Sequence, residues 1–190
     1  MDKFRLPESV ESCQRILVAG AGGGFDIYAG LPIVHRLQSL GKQVFLANLS
    51  FTYLRGTSAQ ELHPCLFAVT ESTAGEDTYF PERILARFMA NKIGHETPIY
   101  AFENVGGKPV REAYHYLRDR LDLDAIVLVD GGTDILLRGD EANLGTPSED
   151  MVSLAAVNDL DVATRMVVCV GFGIDTYHGC LLYTSDAADE

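Results

Sequence analysis

The stretch RILVAGAGGGFD, residues 15–26, decides the fold class, because it joins an apolar segment to a glycine-rich loop and an aspartate. Aliphatic and β-branched residues followed at once by closely spaced glycines are typical of a buried strand that ends in a tight turn. We therefore predict the first strand over residues 15–19 and place the glycine loop at its carboxyl end.

The rest of the chain repeats this alternation of short apolar segments with segments that carry helix start and stop signals. Further strands are predicted at residues 43–49, 66–70, 98–103, 125–130 and 165–171. Helices are predicted at about residues 31–40, 81–92, 109–120 and 147–159. Thr146, Pro147 and Glu149 form a capping box that gives the last helix the best-defined start. Strands that alternate with helices indicate the α/β class, with a mostly parallel sheet between two helical layers.

Length and charge restrict the organisation and the partners. A chain of 190 residues is the size of one domain. Its 27 acidic residues outnumber 15 basic ones, so the net charge of -12 opposes binding to nucleic acid or to an anionic membrane surface. No apolar run approaches the roughly 20 residues that span a bilayer. The N-terminal MDKFRLPESVESCQR has no apolar signal segment. We expect a cytoplasmic protein with neither nucleic acid nor membrane as partner.

The last eleven residues, CLLYTSDAADE, differ in character from the rest of the chain. They resemble the in-frame translation of a transposase-type sequencing adapter. We interpret residues 180–190 as a non-native tail and residues 1–179 as a single α/β domain that is truncated at its C-terminus.

Three strand ends carry the same combination of glycines and aspartate. The three loops are AGAGGGFD at 19–26, DGGTD at 130–134 and GFGID at 171–175. In open α/β sheets, ligands bind beyond the carboxyl ends of the strands. Glycine lets backbone N–H groups approach an anion, and aspartate oxygens bind Mg²⁺, which in turn faces phosphate. The three loops together predict an Mg²⁺-assisted site for a phosphorylated small molecule or nucleotide.

The candidate residues of this site fall into three groups. The predicted metal ligands are Asp26, Asp130, Asp134 and Asp175. The predicted catalytic groups are Asp130, Asp134, Asp175 and His178. The residues expected to contact the ligand are Gly20, Gly22, Gly23, Gly24, Asn48, Gly131, Gly132, Thr133 and Gly173. Lys108 is a further candidate cation for the ligand. The alternative interpretation is that each aspartate only caps the turn or helix that follows it.

A dinucleotide fingerprint fits this sequence only in part. Gly20 and Gly22 occupy its first two glycine positions, but the third falls on Phe25. The acidic residue that binds the ribose would fall near Asn48, which can still bond to a hydroxyl. Binding of NAD or NADP is therefore the weaker hypothesis.

Four stretches together resemble the domain of unknown function 1152 family. They are GGGFDIYAGLP at 22–32, LANLSFTYL at 46–54, DGGTDILLRGDEANLGTPSEDM at 130–151 and GFGIDTYHG at 171–179. The resemblance implies a Rossmann-like α/β protein and brings no known activity with it. Three functional hypotheses follow: an enzyme acting on a phosphorylated metabolite or nucleotide with a divalent metal, an NAD(P)-dependent oxidoreductase, or a nonenzymatic binding module whose aspartates point apart.

Overall fold

The computed structural model of the chain describes residues 5–76, 78–94, 97–138 and 147–170. The strands are β1 (Arg15–Gly20), β2 (Gln43–Ser50), β3 (Gln60–His63), β4 (Leu66–Val69), β5 (Ile99–Glu103), β6 (Ala125–Asp130) and β7 (Thr164–Cys169). The α-helices are α1 (Glu8–Glu11), α2 (Asp26–Ala29), α3 (Leu31–Ser39), α4 (Pro81–Phe88), α5 (Gly107–Leu121) and α6 (Pro147–Val157).

The seven strands form one sheet in the order β3-β4-β5-β2-β1-β6-β7. Five adjacent strands are parallel to one another, namely β5, β2, β1, β6 and β7. Strands β3 and β4 run antiparallel to their neighbours. The chain builds the sheet outward from β1 to β2 and β5, then returns to the other side of β1 to add β6. This is the strand arrangement of Rossmann-like folds, in which the order reverses between β1 and β6.

Helices cover the sheet on both faces, which gives three layers. Alternate residues of β1 point to opposite sides, so Leu17 packs under α5 and α6 while Ile16 packs under α1, α3 and α4. The amphipathic α5 contributes Val110, Tyr114 and Leu117 to the first core. Because both faces are covered, all six residues of β6 are buried and the parallel strands read as continuous apolar runs.

The sequence predictions of the α/β class and the mostly parallel sheet are confirmed. The predicted helix at about residues 31–40 corresponds to α3, which begins at Leu31 after the single turn α2. The predicted helix over 81–92 is α4 followed by a π-helical segment, Met89–Ile93, which ends at Gly94 with φ 69°. The edge strand β3 was not predicted because its residues, QELH, are exposed or half-buried and show no apolar run.

Several predicted features lie outside the described residues. They include Asp175, His178 and Gly173 of the third loop, Thr146 of the capping box and the proposed tail at 180–190. Within the described ranges, no helix combines the length and the apolar character needed to cross a bilayer.

Candidate functional site

Two of the three predicted loops lie side by side where the strand order reverses. Gly20, at the end of β1, is in register with Val129 of β6. The loop 20–26 that follows β1 and the loop 130–134 that follows β6 therefore start at the same edge of the sheet. Helix α6 lies against the first loop, since Ser153 Oγ donates to the carbonyl of Ala21 at 2.6 Å.

Asp26 connects the two loops. It is the first residue of α2, and its Oδ2 accepts a hydrogen bond from the Gly22 N–H at 2.7 Å. Its Oδ1 accepts from the Gly131 N–H, across the boundary between the strands, at 3.2 Å. One carboxylate thus fixes the position of one loop against the other.

Asp130 organises its own loop. It is 2% exposed at the end of β6. Its carboxylate accepts from the Gly132 N–H at 2.7 Å and from the Ile135 N–H at 3.1 Å. These two bonds cap the 3₁₀ turn Asp134–Leu136, so the capping role and a place in the site belong to the same residue.

Asp150 brings a third carboxylate to the same place from α6. It is 2% exposed, and its Oδ1 has no hydrogen-bond partner among the described residues. Asp26, Asp130 and Asp150 each offer an oxygen, and these oxygens lie within 4.8 Å of one another. We call these three residues the carboxylate cluster. Such spacing of oxygen ligands suits a divalent cation.

The clustering of negative charge raises the pKa values of two members. Burial, followed by the charges of Asp130, Asp134 and Asp26, raises the pKa of Asp150 to about 8. Burial and the charge of Asp130 also raise the pKa of Asp26 to about 6, against the lowering effect of its two backbone hydrogen bonds. The folded protein therefore holds the cluster partly protonated near neutral pH.

The absence of a side chain at Gly22 leaves the space between two of the carboxylates open. A Cβ at this position would lie 2.6 Å from Asp150 Oδ2 and 2.9 Å from Asp26 Oδ2. At Gly131 a Cβ would lie 2.9 Å from Asp26 Oδ1. The neighbouring Gly23 has φ 90°, and its Cβ would be 2.6 Å from the carbonyl oxygen of Leu49. Glycine is thus required here by close approach and backbone conformation.

The backbone N–H groups of these glycines differ from the sequence expectation. They were expected to face an anionic ligand, but those of Gly22, Gly131 and Gly132 donate to the carboxylates of Asp26 and Asp130. The Gly24 N–H donates to the carbonyl of Leu49 at 3.3 Å. In this structure, the glycine loops therefore support the aspartates, and the aspartates face the pocket.

Asn48 also differs from its expected role. It is fully buried, and its Nδ2 donates to the Gly24 carbonyl at 2.9 Å and to Glu82 Oε1 at 2.8 Å. A Cβ on Gly20 would overlap Asn48 Oδ1, so these two residues pack against each other in the sheet. Asn48 supports the first loop from behind and does not present an amide to a ribose in the pocket.

The remaining predicted residues of the described ranges lie at different depths. Asp134 lines the pocket, whereas Thr133 is fully buried beneath it. Lys108 lies in the first turn of α5 with an exposed side chain and is not among the residues that line the pocket.

The carboxylate cluster forms the floor of a pocket of about 460 Å³. Its acidic lining residues are Asp26, Asp130, Asp134, Glu149 and Asp150. None of the described lining residues is Lys or Arg. Phe25, Phe51 and Tyr79 form part of the wall. The volume suits a small-molecule ligand, and the charge of the lining attracts cations.

Sequence reasoning missed Asp150 and Glu149 as site residues. Glu149 was interpreted only as part of a helix start and Asp150 was not singled out, although acidic residues in the first turn of a helix that follows a site loop are a usable signal. The aromatic wall was also missed, because Phe51 and Tyr79 come from segments that the sequence analysis did not assign to the site.

No curated protein is significantly similar to this chain. A family model described as "Protein of unknown function (DUF1152)" matches residues 17–177. The matched range runs from β1 through β7 and includes both glycine and aspartate loops, together with α6. On this match the chain belongs to the DUF1152 family.

Proposed function

We propose that the carboxylate cluster binds a divalent metal ion such as Mg²⁺, and that the protein is an enzyme acting on a phosphorylated small molecule held by that ion. The observation that carries the proposal is the unpartnered Oδ1 of Asp150, buried beside two other carboxylates. A buried carboxylate oxygen without a partner is costly unless a cation or a donor meets it.

Asp26 and Asp130 remain able to bind the same ion. Each of their carboxylate oxygens accepts one backbone N–H. A carboxylate offers about four lone-pair positions, so these backbone bonds occupy only part of them. The backbone bonds also hold the two side chains in place before an ion arrives, which favours binding.

The charge of the pocket makes a metal ion necessary for an anionic ligand. With five carboxylates and neither Lys nor Arg among the described lining residues, a phosphate group alone is repelled. A bound divalent cation supplies positive charge to phosphoryl oxygens. Binding of a phosphorylated ligand is therefore expected only in the presence of the metal.

Asp134 is the pocket carboxylate to which the proposal gives proton transfer. It lines the pocket without belonging to the carboxylate cluster, so the proposal does not use it as a ligand of the metal ion. We assign it the role of general base in the proposal.

The two alternative functions gain no support from the geometry. For a dinucleotide, Asn48 is buried and bonded within the protein, and Phe25 is 61% exposed at the pocket instead of packed between helix and strand. For a nonenzymatic module, the aspartates should point apart, whereas Asp26, Asp130 and Asp150 converge.

The proposal is tested by thermal unfolding of the wild-type protein and of Asp150→Asn with Mg²⁺ or Mn²⁺. An ion at a hundredfold excess over its dissociation constant stabilises the folded state by about 2.7 kcal/mol. We expect the wild type to show this stabilisation and Asp150→Asn to lose it. Asp119→Asn, which alters an exposed carboxylate paired with Arg118, is the matched control and should behave as wild type.

Turnover is tested with the same three proteins and a panel of sugar and nucleoside phosphates, by following release of inorganic phosphate with and without Mg²⁺. Metal-dependent release that is lost in Asp150→Asn and in Asp134→Asn is the expected result. An equal metal-induced stabilisation in wild type and Asp150→Asn would overturn the metal site. Metal binding without any turnover would reduce the proposal to a binding function.

A further inference from the structure

A second cavity of about 420 Å³ adjoins the acidic pocket and shares Phe51 and Tyr79 with it. We call it the aromatic groove. Its lining includes Phe51, Tyr53, Thr57, Glu76, Thr78 and Tyr79. Because two side chains belong to both walls, a ligand that contacts them can reach both cavities.

Exposed aromatic rings concentrate at these two cavities. Phe51 is 53% exposed, Tyr53 75% and Tyr79 40%. Of the five exposed Phe and Tyr side chains in the described ranges, four line the pocket or the groove, and only Phe88 lies elsewhere. Clustered exposed apolar groups at a concave surface mark a binding site.

Two of these rings have no stacking partner in the described part of the chain. Among the described residues, no aromatic ring or guanidinium group stacks on Phe51 or Tyr53. Phe25, by comparison, contacts Tyr28 and Tyr79, with ring centroids 5.5 and 5.7 Å apart. The groove therefore offers a planar group two exposed aromatic rings that no other described ring or guanidinium group covers.

The groove is held in shape by local contacts. Tyr53 lies over Gly56, where a Cβ would be 2.7 Å from the tyrosine ring. Leu54, between them, is fully buried and anchors the turn Leu54–Gly56. Thr52 Oγ1 donates to the Tyr79 carbonyl at 2.9 Å, which connects the two segments that carry the rings.

We infer that the ligand is a nucleotide, whose phosphates bind at the carboxylate cluster and whose base stacks in the aromatic groove on Phe51 and Tyr53. The inference rests on the proposed function, since it places the phosphates on the metal ion of the cluster. The chemistry of the groove sets the orientation. The carboxylate of Glu76 repels a phosphate there, while it accepts hydrogen bonds from the N–H groups of a base.

The experiment is calorimetric titration in Mg²⁺ with inorganic tripolyphosphate and with the four common ribonucleoside triphosphates. Tripolyphosphate measures the phosphate and metal contribution alone. Stacking of a base on an aromatic side chain changes affinity by about tenfold or more. We expect at least one nucleotide to bind about tenfold or more tightly than tripolyphosphate.

Variants show which residues cause the tighter binding of the nucleotide. Tyr53→Ala should remove the advantage of the nucleotide and leave tripolyphosphate affinity unchanged, whereas Tyr53→Phe, which keeps the ring, should retain it. Phe88→Ala removes an exposed ring outside both cavities and should change neither affinity. Binding of tripolyphosphate as tight as that of every nucleotide overturns the inference and leaves the proposed function standing. A nucleotide advantage that survives in Tyr53→Ala also overturns it. Failure of all five probes to bind in Mg²⁺ overturns the inference, and the sugar phosphates of the turnover panel then decide the proposed function separately.

Discussion

Carboxylates reach the pocket from two regions: the two glycine and aspartate loops, and the N-terminal turn of α6. The two regions differ in how many hydrogen bonds their carboxylates accept. In the loops, Asp26 and Asp130 each accept two backbone N–H groups. In α6, Asp150 is as buried as Asp130 and keeps an oxygen without a partner in the described part of the chain.

The difference separates structural support from ligand binding. A carboxylate that accepts backbone hydrogen bonds stabilises the loop around it, and its removal leaves N–H donors without partners. A buried carboxylate with an unpartnered oxygen contributes no such bonds and is repelled by its neighbours. It is the residue of the three whose presence is best explained by a ligand.

The strongest test of this comparison is the sign of the stability change in two matched substitutions. In metal-free protein near pH 8, Asp150→Asn should raise the free energy of unfolding by about 1–2 kcal/mol, because it removes like-charge repulsion. Asp26→Asn should lower it by about 1–2 kcal/mol, because the amide nitrogen must face one of the two N–H donors. Urea unfolding of both variants measures the gap, and changes of the same sign would contradict the comparison.

The pH dependence of stability tests the same charges without metal. The folded-state pKa values of Asp150, about 8, and Asp26, about 6, lie above their unfolded value of 3.8. Between these values the folded protein binds more protons than the unfolded one, so stability falls as pH rises. For Asp150 the slope is at most about 1.4 kcal/mol per pH unit and ends above pH 8.

The contribution of Asp150 to the pH dependence of stability is measured by comparing wild type with Asp150→Asn in urea unfolding from pH 5 to 9. We expect the difference in stability between the two proteins to widen in favour of the variant as pH increases. Added Mg²⁺ should reverse the trend for the wild type, because metal ions compete with protons for the carboxylates. A pH-independent difference would show that Asp150 has an ordinary pKa and is not part of a repelling cluster.

Gly22→Ala should change the free energy of unfolding less, and it tests the space between the first loop and α6. The added methyl would lie within 2.9 Å of oxygens from both Asp150 and Asp26. Crowding of this kind costs about 1 kcal/mol or somewhat more, and the methyl group should also weaken Mg²⁺ binding. Gly107→Ala is the control, since a Cβ there meets nothing within 4 Å. Equal Mg²⁺ affinity in Gly22→Ala and Gly107→Ala would mean that the ion does not sit between the loop and α6.

The sequence was sufficient for the fold and for the two loops because both depend on local patterns. The apolar run of β6 and the glycines after β1 can be recognised directly in the sequence, and parallel strands bring their carboxyl ends to one edge of the sheet. The hydrogen-bond partner of each carboxylate cannot be predicted in this way. That Gly131 donates to Asp26, 105 positions earlier, follows from the register of β1 and β6 and from no local pattern.

The missed residues show the same limit. Asp150 enters the pocket because α6 packs on the first loop, through a hydrogen bond between Ser153 and Ala21. Phe51 and Tyr79 meet because their segments are joined by the Thr52 hydrogen bond. Such long-range contacts depend on tertiary packing. Residue types alone therefore identified the loops and the first two aspartates, but not the third carboxylate or the aromatic wall.

Glu82 provides the last and smallest test, because it also has an unpartnered buried oxygen but lies outside the pocket. It is fully buried, its Oε1 accepts from Asn48, and its Oε2 has no partner in the described part of the chain. Burial raises its pKa. Since Asn48 also donates to the Gly24 carbonyl, Glu82 supports the first loop from behind. It is absent from the lining of both cavities.

We expect Glu82→Gln to change the free energy of unfolding by less than about 1 kcal/mol, because glutamine has nearly the same shape and keeps the acceptor for Asn48. Mg²⁺ affinity should stay within about twofold of wild type, since the substitution changes no group that lines the pocket. Urea unfolding and calorimetry measure the two quantities. A loss of Mg²⁺ affinity as large as that in Asp150→Asn would mean that the charge behind the loop matters as much as the carboxylates that face the ion. An unpartnered oxygen identifies a ligand-binding residue only where it also faces the pocket, as Asp150 does within the carboxylate cluster.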